Sequence, residues 1–355
     1  MTLPVEPPLE PMLGRRADAL PTGDILYEPK WDGFRCLAFR DGDEIDLRSR
    51  HGRPLARYFP EVVATMRAVP EPRFALDGEI IVTSEPGFDF EALLARVHPA
   101  ASRVERLSRE TPATFVAFDL LAEGDANLLD RPFDERRAAL ERMLSQADAS
   151  LGLTPATRDP AEAERWLALD GAGIDGVMAK RADLRYRPGG RDMVKVKRER
   201  TADCVAAGFR VYADRPLLSS LMLGLYDYDG ALRHFGVVQA FTNKRRAELI
   251  QELSALAVPL AGHPWEHGIL MGGGTTGRLA GAAGRWSPEM ALDWVPVAPV
   301  RVVEVAYDQV DSGRLRHPAR FRRWRPDREP RSCTLEQLTV ASADPESVLG
   351  RARVG

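Results

Sequence analysis

Cysteine is scarce in this chain: Cys36, Cys204 and Cys333 are an odd number, and no two of them are close enough to form a Cys-x-x-Cys pair. That excludes a thiolate metal knuckle and a disulfide framework, and leaves the three as packing residues. No apolar run approaches the ~20 residues of a membrane-spanning helix. The N-terminus, rich in Pro and Glu, lacks the pattern of a secretion signal. The expectation is a cytoplasmic protein with no membrane partner. An excess of one charge is missing too. The net charge of −3 offers no general attraction to nucleic acid, so such a partner would have to be met by local clusters. A phosphate loop ending in Gly-Lys-Ser/Thr is also absent. The glycine-rich stretch Met271 to Gly284, containing Gly274-Thr275-Thr276-Gly277-Arg278, reads as a flexible loop.

What is present is a globular composition, with 44% hydrophobic and 28% charged residues. The length of 355 residues suggests about two domains. The most informative stretch is Glu28-Pro29-Lys30-Trp31-Asp32-Gly33-Phe34-Arg35, between apparent strands at 24–27 and 36–39. A lysine amine is a nucleophile only when neutral, and its reference pKa of about 10.4 means that it must be tuned by burial or a neighbouring cation. Gly33 would let a phosphate-bearing ligand approach the backbone, and Arg35 would fork onto its oxygens. The alternative is a surface lysine at a strand end with Asp32-Gly33 as a turn.

Prolines at 4, 7, 8, 11 and 21 make residues 1 to 23 an extended lead-in that wraps a core. Glu44 to Arg48 alternates as a half-buried strand and runs into the basic turn Ser49-Arg50-His51-Gly52. Tyr58 to Ala68 has helical spacing, with Phe59, Val62, Val63 and Met66 on one face. Phe74 to Val82 reads as a core strand interrupted by Asp77-Gly78-Glu79, either a strand-to-strand turn or acids put to use, since buried unpaired acids are costly. Thr114 to Leu121 is another strand, in which Phe118 is either core or a stacking platform for a base. Helices are predicted at Pro132 to Leu144 and Glu162 to Leu169. A strand follows at Gly173 to Lys180, carrying Asp175.

From Lys180 to Arg200 there are nine Lys or Arg against three acids. Alternation of Val194 and Val196 with Lys195 and Lys197 puts both lysines on one side of a strand. Beyond residue 200 come short strands at Cys204 to Tyr212, Ser219 to Tyr226, Leu232 to Val238 and Arg301 to Asp308. With a helix at Lys244 to Leu256, they fit a small closed barrel of the oligonucleotide-binding (OB) kind. Arg314 to Arg331 holds eight arginines against Asp327 and Glu329 and is broken by Phe321 and Trp324, a composition suited to phosphate contact.

In this order and spacing the motifs resemble those of the covalent nucleotidyltransferases, specifically ATP-dependent DNA ligases of the small bacterial repair type, over residues 24 to 330. The resemblance implies an α+β fold: a mixed antiparallel-sheet nucleotidyltransferase (adenylation) domain over residues 1–200, followed by an OB-fold β-barrel domain over 201–330 and a C-terminal extension over 331–355. It implies Lys30 as the nucleophile that accepts AMP from ATP, Glu28 at the adenine edge, Arg35 and Arg50 on ribose and phosphate, and Phe118 stacked on adenine. Glu79 would reach the ribose or a metal, and Lys195 and Lys197 would contact the α-phosphate. Asp175 stands where the family usually has a metal-binding glutamate, one methylene longer, so direct ligation is in question there. Arg320, Arg323, Arg325, Asp327 and Arg328 would orient pyrophosphate, with Arg328 where lysine is common. The cofactors implied are ATP, as covalent AMP, and Mg²⁺, with Mn²⁺ as an alternative.

The partner implied is nicked duplex DNA, sealed by a monomer in repair, with a repair polymerase or other repair proteins as further partners. The barrel would swing about a linker near residue 200. An RNA-joining or mRNA-capping nucleotidyltransferase shares the Lys-x-Asp-Gly-x-Arg element and is the alternative within the superfamily. From another class, the rival is a non-catalytic nucleic-acid-binding module in which Lys30 is structural.

Overall fold

The computed structural model describes residues 1–84, 87–145, 151–169, 174–197, 199–266, 294–308, 310–311 and 313–338. Met271 to Gly284, read above as a flexible loop, lies outside them, as does most of the C-terminal extension. The chain divides into two compact units, the first over Met1–Arg198 and the second over Glu199–Val340.

In chain order the first unit contains β1 (Gly14–Ala17), β2 (Ile25–Trp31), β3 (Phe34–Asp41), β4 (Glu44–Ser49), α1 (Pro60–Ala68), β5 (Arg73–Ser84), β6 (Gly87–Phe88), α2 (Phe90–Arg96) and α3 (Ala101–Glu110). It continues with β7 (Ala113–Glu123), β8 (Ala126–Asn127), α4 (Phe133–Leu144), β9 (Leu151–Leu153), α5 (Pro160–Ala168), β10 (Ile174–Arg181) and β11 (Met193–Val196). Two sheets result. One has the order β1-β11-β10-β2, antiparallel except where β1 lies parallel to β11. The other has the order β4-β3-β5-β7-β8, antiparallel, with β9 added parallel to β7.

The strands read from sequence at 24–27 and 36–39 run further than expected, to take in Lys30 and Arg35. Lys30 is inside β2 of one sheet and Arg35 is inside β3 of the other. Only Asp32-Gly33 separates the two, so this pair hands the chain from sheet to sheet. A Cβ on Gly33 would lie 2.2 Å from the carbonyl oxygen of Ile80, so no other residue passes there without moving β5. Nor is the strand through Asp77-Gly78-Glu79 broken. It runs continuously as β5, with the register against β7 shifting at Asp77/Gly78, because Asp77 finds a buried partner that offsets its desolvation.

Helices α2 and α3 were not anticipated. The first is seven residues long and held by its N-cap, where the Asp89 side chain accepts the Ala92 N–H at 2.7 Å. The second buries only Val104, too little for an apolar stripe to show. The lead-in is woven into the core: Leu3, Val5 and Met12 pack with Leu37, Phe39, Tyr186 and Met193. A larger core lies around Leu76, Phe115, Leu120 and Leu140, where α1 and α4 cover the second sheet.

The second unit comprises β12 (Arg200–Tyr212), β13 (Arg215–Tyr226), β14 (Leu232–Val238), α6 (Asn243–Ser254), β15 (Trp294–Tyr307), β16 (Val310–Asp311), β17 (Arg314–Leu315) and β18 (Arg320–Trp324). Five strands form an antiparallel sheet in the order β14-β13-β12-β15-β18. Its two edges meet where Ala319 bridges Val238 and donates its N–H to Val237 O at 2.8 Å, which closes the barrel. The fifth strand, β18, lies inside the arginine-rich segment. The interior is filled by Cys204, Leu221, Leu223, Phe235, Leu249 and Val303.

Candidate active site

A pocket in the first unit is lined by Leu13, Gly14, Glu28, Pro29, Lys30, Trp31, Arg35, Arg50, Glu79, Phe118, Met178, Lys180, Arg191, Met193 and Lys195. Seven residues expected at the nucleotide from sequence are therefore brought to one place: Glu28, Lys30, Arg35, Arg50, Glu79, Phe118 and Lys195.

The Nζ of Lys30 lies 2.7 Å from Oδ2 of Asp175, and the Nζ of Lys197 lies 2.6 Å from the same oxygen. Asp175 is put there by an irregularity in β10, whose register against β2 shifts between Ile174 and Val177. The shift turns on Gly176, whose φ of +122° and whose lack of a Cβ, which would meet Val196 O at 2.1 Å, no side-chain-bearing residue could share. Burial alone would raise the Asp175 pKa, but the Lys30 and Lys197 ammoniums outweigh it and hold the carboxyl below its ordinary value. Lys195, on the neighbouring strand, is also shifted down, but in its case toward the neutral form. Desolvation and the nearby charges of Lys30, Lys197 and Arg50 lower its pKa.

Glu79 faces the crossover, accepting the Gly33 N–H at 3.2 Å. Burial pushes its carboxyl up to about 7, against the pull of Arg35 and Lys30. Arg35 lines the pocket with its fork already engaged: Nε and Nη2 donate to Asp77 at 2.6 Å each, and Nη2 also donates to Met12 O at 3.1 Å. Its guanidinium stands 4.5 Å from the centroid of the Phe118 ring. Phe118 is both buried and pocket-lining. Arg50 is presented by a turn closed by Gly52 N–H to Ser49 O at 2.8 Å.

Glu28 is almost wholly buried between two cations, with Lys180 Nζ at 2.7 Å and Arg137 Nη1 at 3.3 Å. Lys180 also donates to Phe118 O at 3.0 Å. Lys180, Arg137, Asp77, Tyr186, Met178 and Arg191 were not given roles from sequence. The signal available was a lysine closing an apolar strand at 180. Nothing in the helical pattern of α4 singles out Arg137.

The arginines expected at pyrophosphate stand on the second unit, each facing an acid. Arg320 pairs with Glu199, as does its neighbour Arg322, which was not among those expected; Arg323 pairs with Glu304 at 2.7 Å, and Arg325 with Asp203 at 3.1 Å and Asp327 at 2.8 Å. Arg328 also reaches Asp203, at 3.3 Å.

Among the described residues no three His, Cys, Asp or Glu side chains gather in the manner of a protein metal cage. Asp175 pairs with Lys30, and Glu79 is close enough to feel its charge. Such a sparse oxygen donor set fits a hard divalent cation that keeps its waters and takes its remaining ligands from phosphate. No helix among the described residues is long and apolar enough to cross a membrane.

The family description "ATP dependent DNA ligase domain" matches residues 11–197, and "ATP dependent DNA ligase C terminal region" matches residues 214–328. DNA ligase C of Mycobacterium tuberculosis is 50% identical over 354 residues, covering 97% of this chain and 98% of the relative. DNA ligase C2 of Mycolicibacterium smegmatis is 49% identical, covering 95% and 96%. Among solved structures, one from a structure-function study of Lig E DNA ligases shares the fold at a TM-score of 0.53 and 17% identity, covering 88% of this chain and 99% of that one. An RNA-joining or capping enzyme is not favoured by these matches, and a binding module without activity does not accord with them. The chain belongs to the ATP-dependent DNA ligases.

Proposed function

We propose that this chain seals nicks in duplex DNA through an AMP carried on Lys30. The observation that carries the reading is the position of Lys30 on the pocket wall, oriented by Asp175, within a cluster that includes Lys195, Lys197 and Arg50. In the first transfer Lys30 gives up a proton to water and its neutral amine attacks the α-phosphorus of ATP; a P–N bond forms, the bond to pyrophosphate breaks, and the second amine proton leaves to water. Lys195 and Lys197 neutralise the charge that grows on the α-phosphate oxygens, and Arg50 holds phosphate. Glu28 meets the adenine edge, Phe118 stacks on the base, and Arg35 and Glu79 address the ribose. The AMP then moves to the 5′-phosphate at the nick, and the 3′-hydroxyl displaces it.

A divalent cation, Mg²⁺ in this reading with Mn²⁺ able to replace it, would be held through Asp175 and Glu79 and would supply charge stabilisation to the phosphates. Glu79 must ionise for that, and its pKa of about 7 lets it do so near neutrality. Arg320, Arg323, Arg325 and Arg328 orient pyrophosphate after exchanging their acid partners for it, and Asp327 is the acid of this motif that holds Arg325 beforehand. The enzyme acts as a cytoplasmic monomer on nicked DNA in repair, together with a repair polymerase or other repair proteins.

The test is incubation with α-labelled ATP and Mg²⁺, a denaturing gel, and then nicked duplex as acceptor, for the wild type and Lys30→Ala. Label on the wild type alone, chased into sealed DNA, is expected. An unlabelled, AMP-free wild type would sink the reading.

A further inference from the structure

Four groups close a hydrogen-bonded ring beside the pocket. The Met12 N–H donates to Tyr186 Oη at 3.0 Å, and Oη donates to Asp77 Oδ2 at 2.7 Å. Asp77 takes the Arg35 fork at 2.6 Å twice, and Arg35 Nη2 returns to Met12 O at 3.1 Å. Met12 and Asp77 have no exposed surface, and Tyr186 is only 3% exposed. The ring thus joins the lead-in, β3, β5 and the 182–192 segment, which are remote in sequence. One of its members, Arg35, lines the pocket wall, and so do Leu13 and Gly14, the residues that follow Met12.

We infer that Tyr186 is a positioning residue for the nucleotide. Its hydroxyl locks Met12, which carries the Leu13–Gly14 wall, and the Arg35 guanidinium into one arrangement before ATP arrives. This rests on the reading of the pocket as the ATP site. An arginine held by a carboxylate fork and a backbone carbonyl loses little further freedom on binding, whereas a loose one must be ordered by the ligand. Tyr186 serves here because its phenol remains a donor: burial and the Asp77 charge push its pKa up. Removing the hydroxyl would leave the Met12 N–H without its acceptor and Asp77 with one donor fewer, in a site that water does not reach. The lead-in would stay docked, since β1 pairs with β11 and Leu13 N–H donates to Gly190 O at 2.8 Å. Tyr186→Phe also keeps the ring packing.

The test is calorimetric ATP binding to the full chain carrying Lys30→Ala, which cannot be precharged with AMP. Tyr186→Phe, Arg35→Met and the pair are added to that background, with melting temperatures alongside. Tyr186→Phe is expected to weaken ATP binding about five- to tenfold. In the Arg35→Met background the same change should do little more, because its effect passes through Arg35. In chains that retain Lys30, Tyr186→Phe should raise the half-saturating ATP for self-labelling by the same factor and leave the saturating rate within about twofold. A lowered melting temperature with unchanged ATP affinity would overturn the inference, and so would an equal loss in both backgrounds. Failure of the Lys30-bearing wild type to take label would overturn the ATP-site reading, and the inference with it.

Discussion

Lys30 and Lys197 share a single oxygen of Asp175, at 2.7 and 2.6 Å. One carboxylate therefore balances two ammoniums, and it is the shortest acid of its kind that can do so. Replacing it by an amide removes the charge and leaves both lysines facing a dipole. Asp175→Asn is expected to cut the initial rate of self-labelling about a hundredfold, in keeping with the loss of an electrostatic partner worth about 3 kcal/mol. Asp175→Glu, which keeps the charge, should retain most of the rate. A rate for Asp175→Asn within threefold of wild type would show that the shared oxygen is incidental.

The raised Glu79 carboxyl has a stability consequence with a definite sign. Its pKa is about 7 in the fold against an ordinary 4.5, so between these values the folded chain binds more protons than the unfolded one. Stability from this group is complete below about pH 4.5 and is lost as the pH rises to about 7. Glu79→Gln should remove that loss, so its melting temperature should gain on the wild type across this window and run parallel to it above. Parallel melting curves throughout would mean that Glu79 titrates normally.

Lys180 and Glu28 are each only 2% exposed. Lys180→Met leaves the carboxylate facing Arg137 alone, and losing one of the two buried cations that hold it costs up to about 3 kcal/mol. Urea unfolding should show a midpoint shift of that size at unchanged slope. The double change Lys180→Met with Glu28→Gln should recover a good part of it, and a failure to do so would shift the explanation to packing.

At the crossover, Gly33→Ala forces a methyl to 2.2 Å from Ile80 O. Either β5 or the β2–β3 step must give way, moving Lys30 relative to Arg35. The expected result is a loss of several kcal/mol in stability together with a self-labelling rate reduced at least tenfold. Unchanged labelling in a folded Gly33→Ala chain would show that the crossover tolerates the shift.

The candidate site residues could be picked out in the sequence because each reads as a strand-end, turn or lysine-alternation residue, or as one out of place in an apolar run. Lys30, Arg50 and Asp175 broke local patterns, and Lys195 and Lys197 kept a period of two. The barrel was legible from its short strands and turns. Other features rest on contacts between residues far apart in the chain, which no local periodicity records. Whether Asp77 was a turn residue or an acid put to use stayed open in the sequence, because its partner Arg35 is 42 positions away. Glu28 gave no sign that Arg137, on a helix 109 residues on, would hold it.

By itself, then, the order of residues determined which groups can do chemistry, through side-chain type and the period of strands. The tertiary structure decided which of them share an oxygen, which are neutralised by burial or by an acid, and which are held still. Those outcomes depend on desolvation and on distances of 3 Å between remote positions, and both exist only after the two sheets of the first unit have closed around the Gly33 crossover.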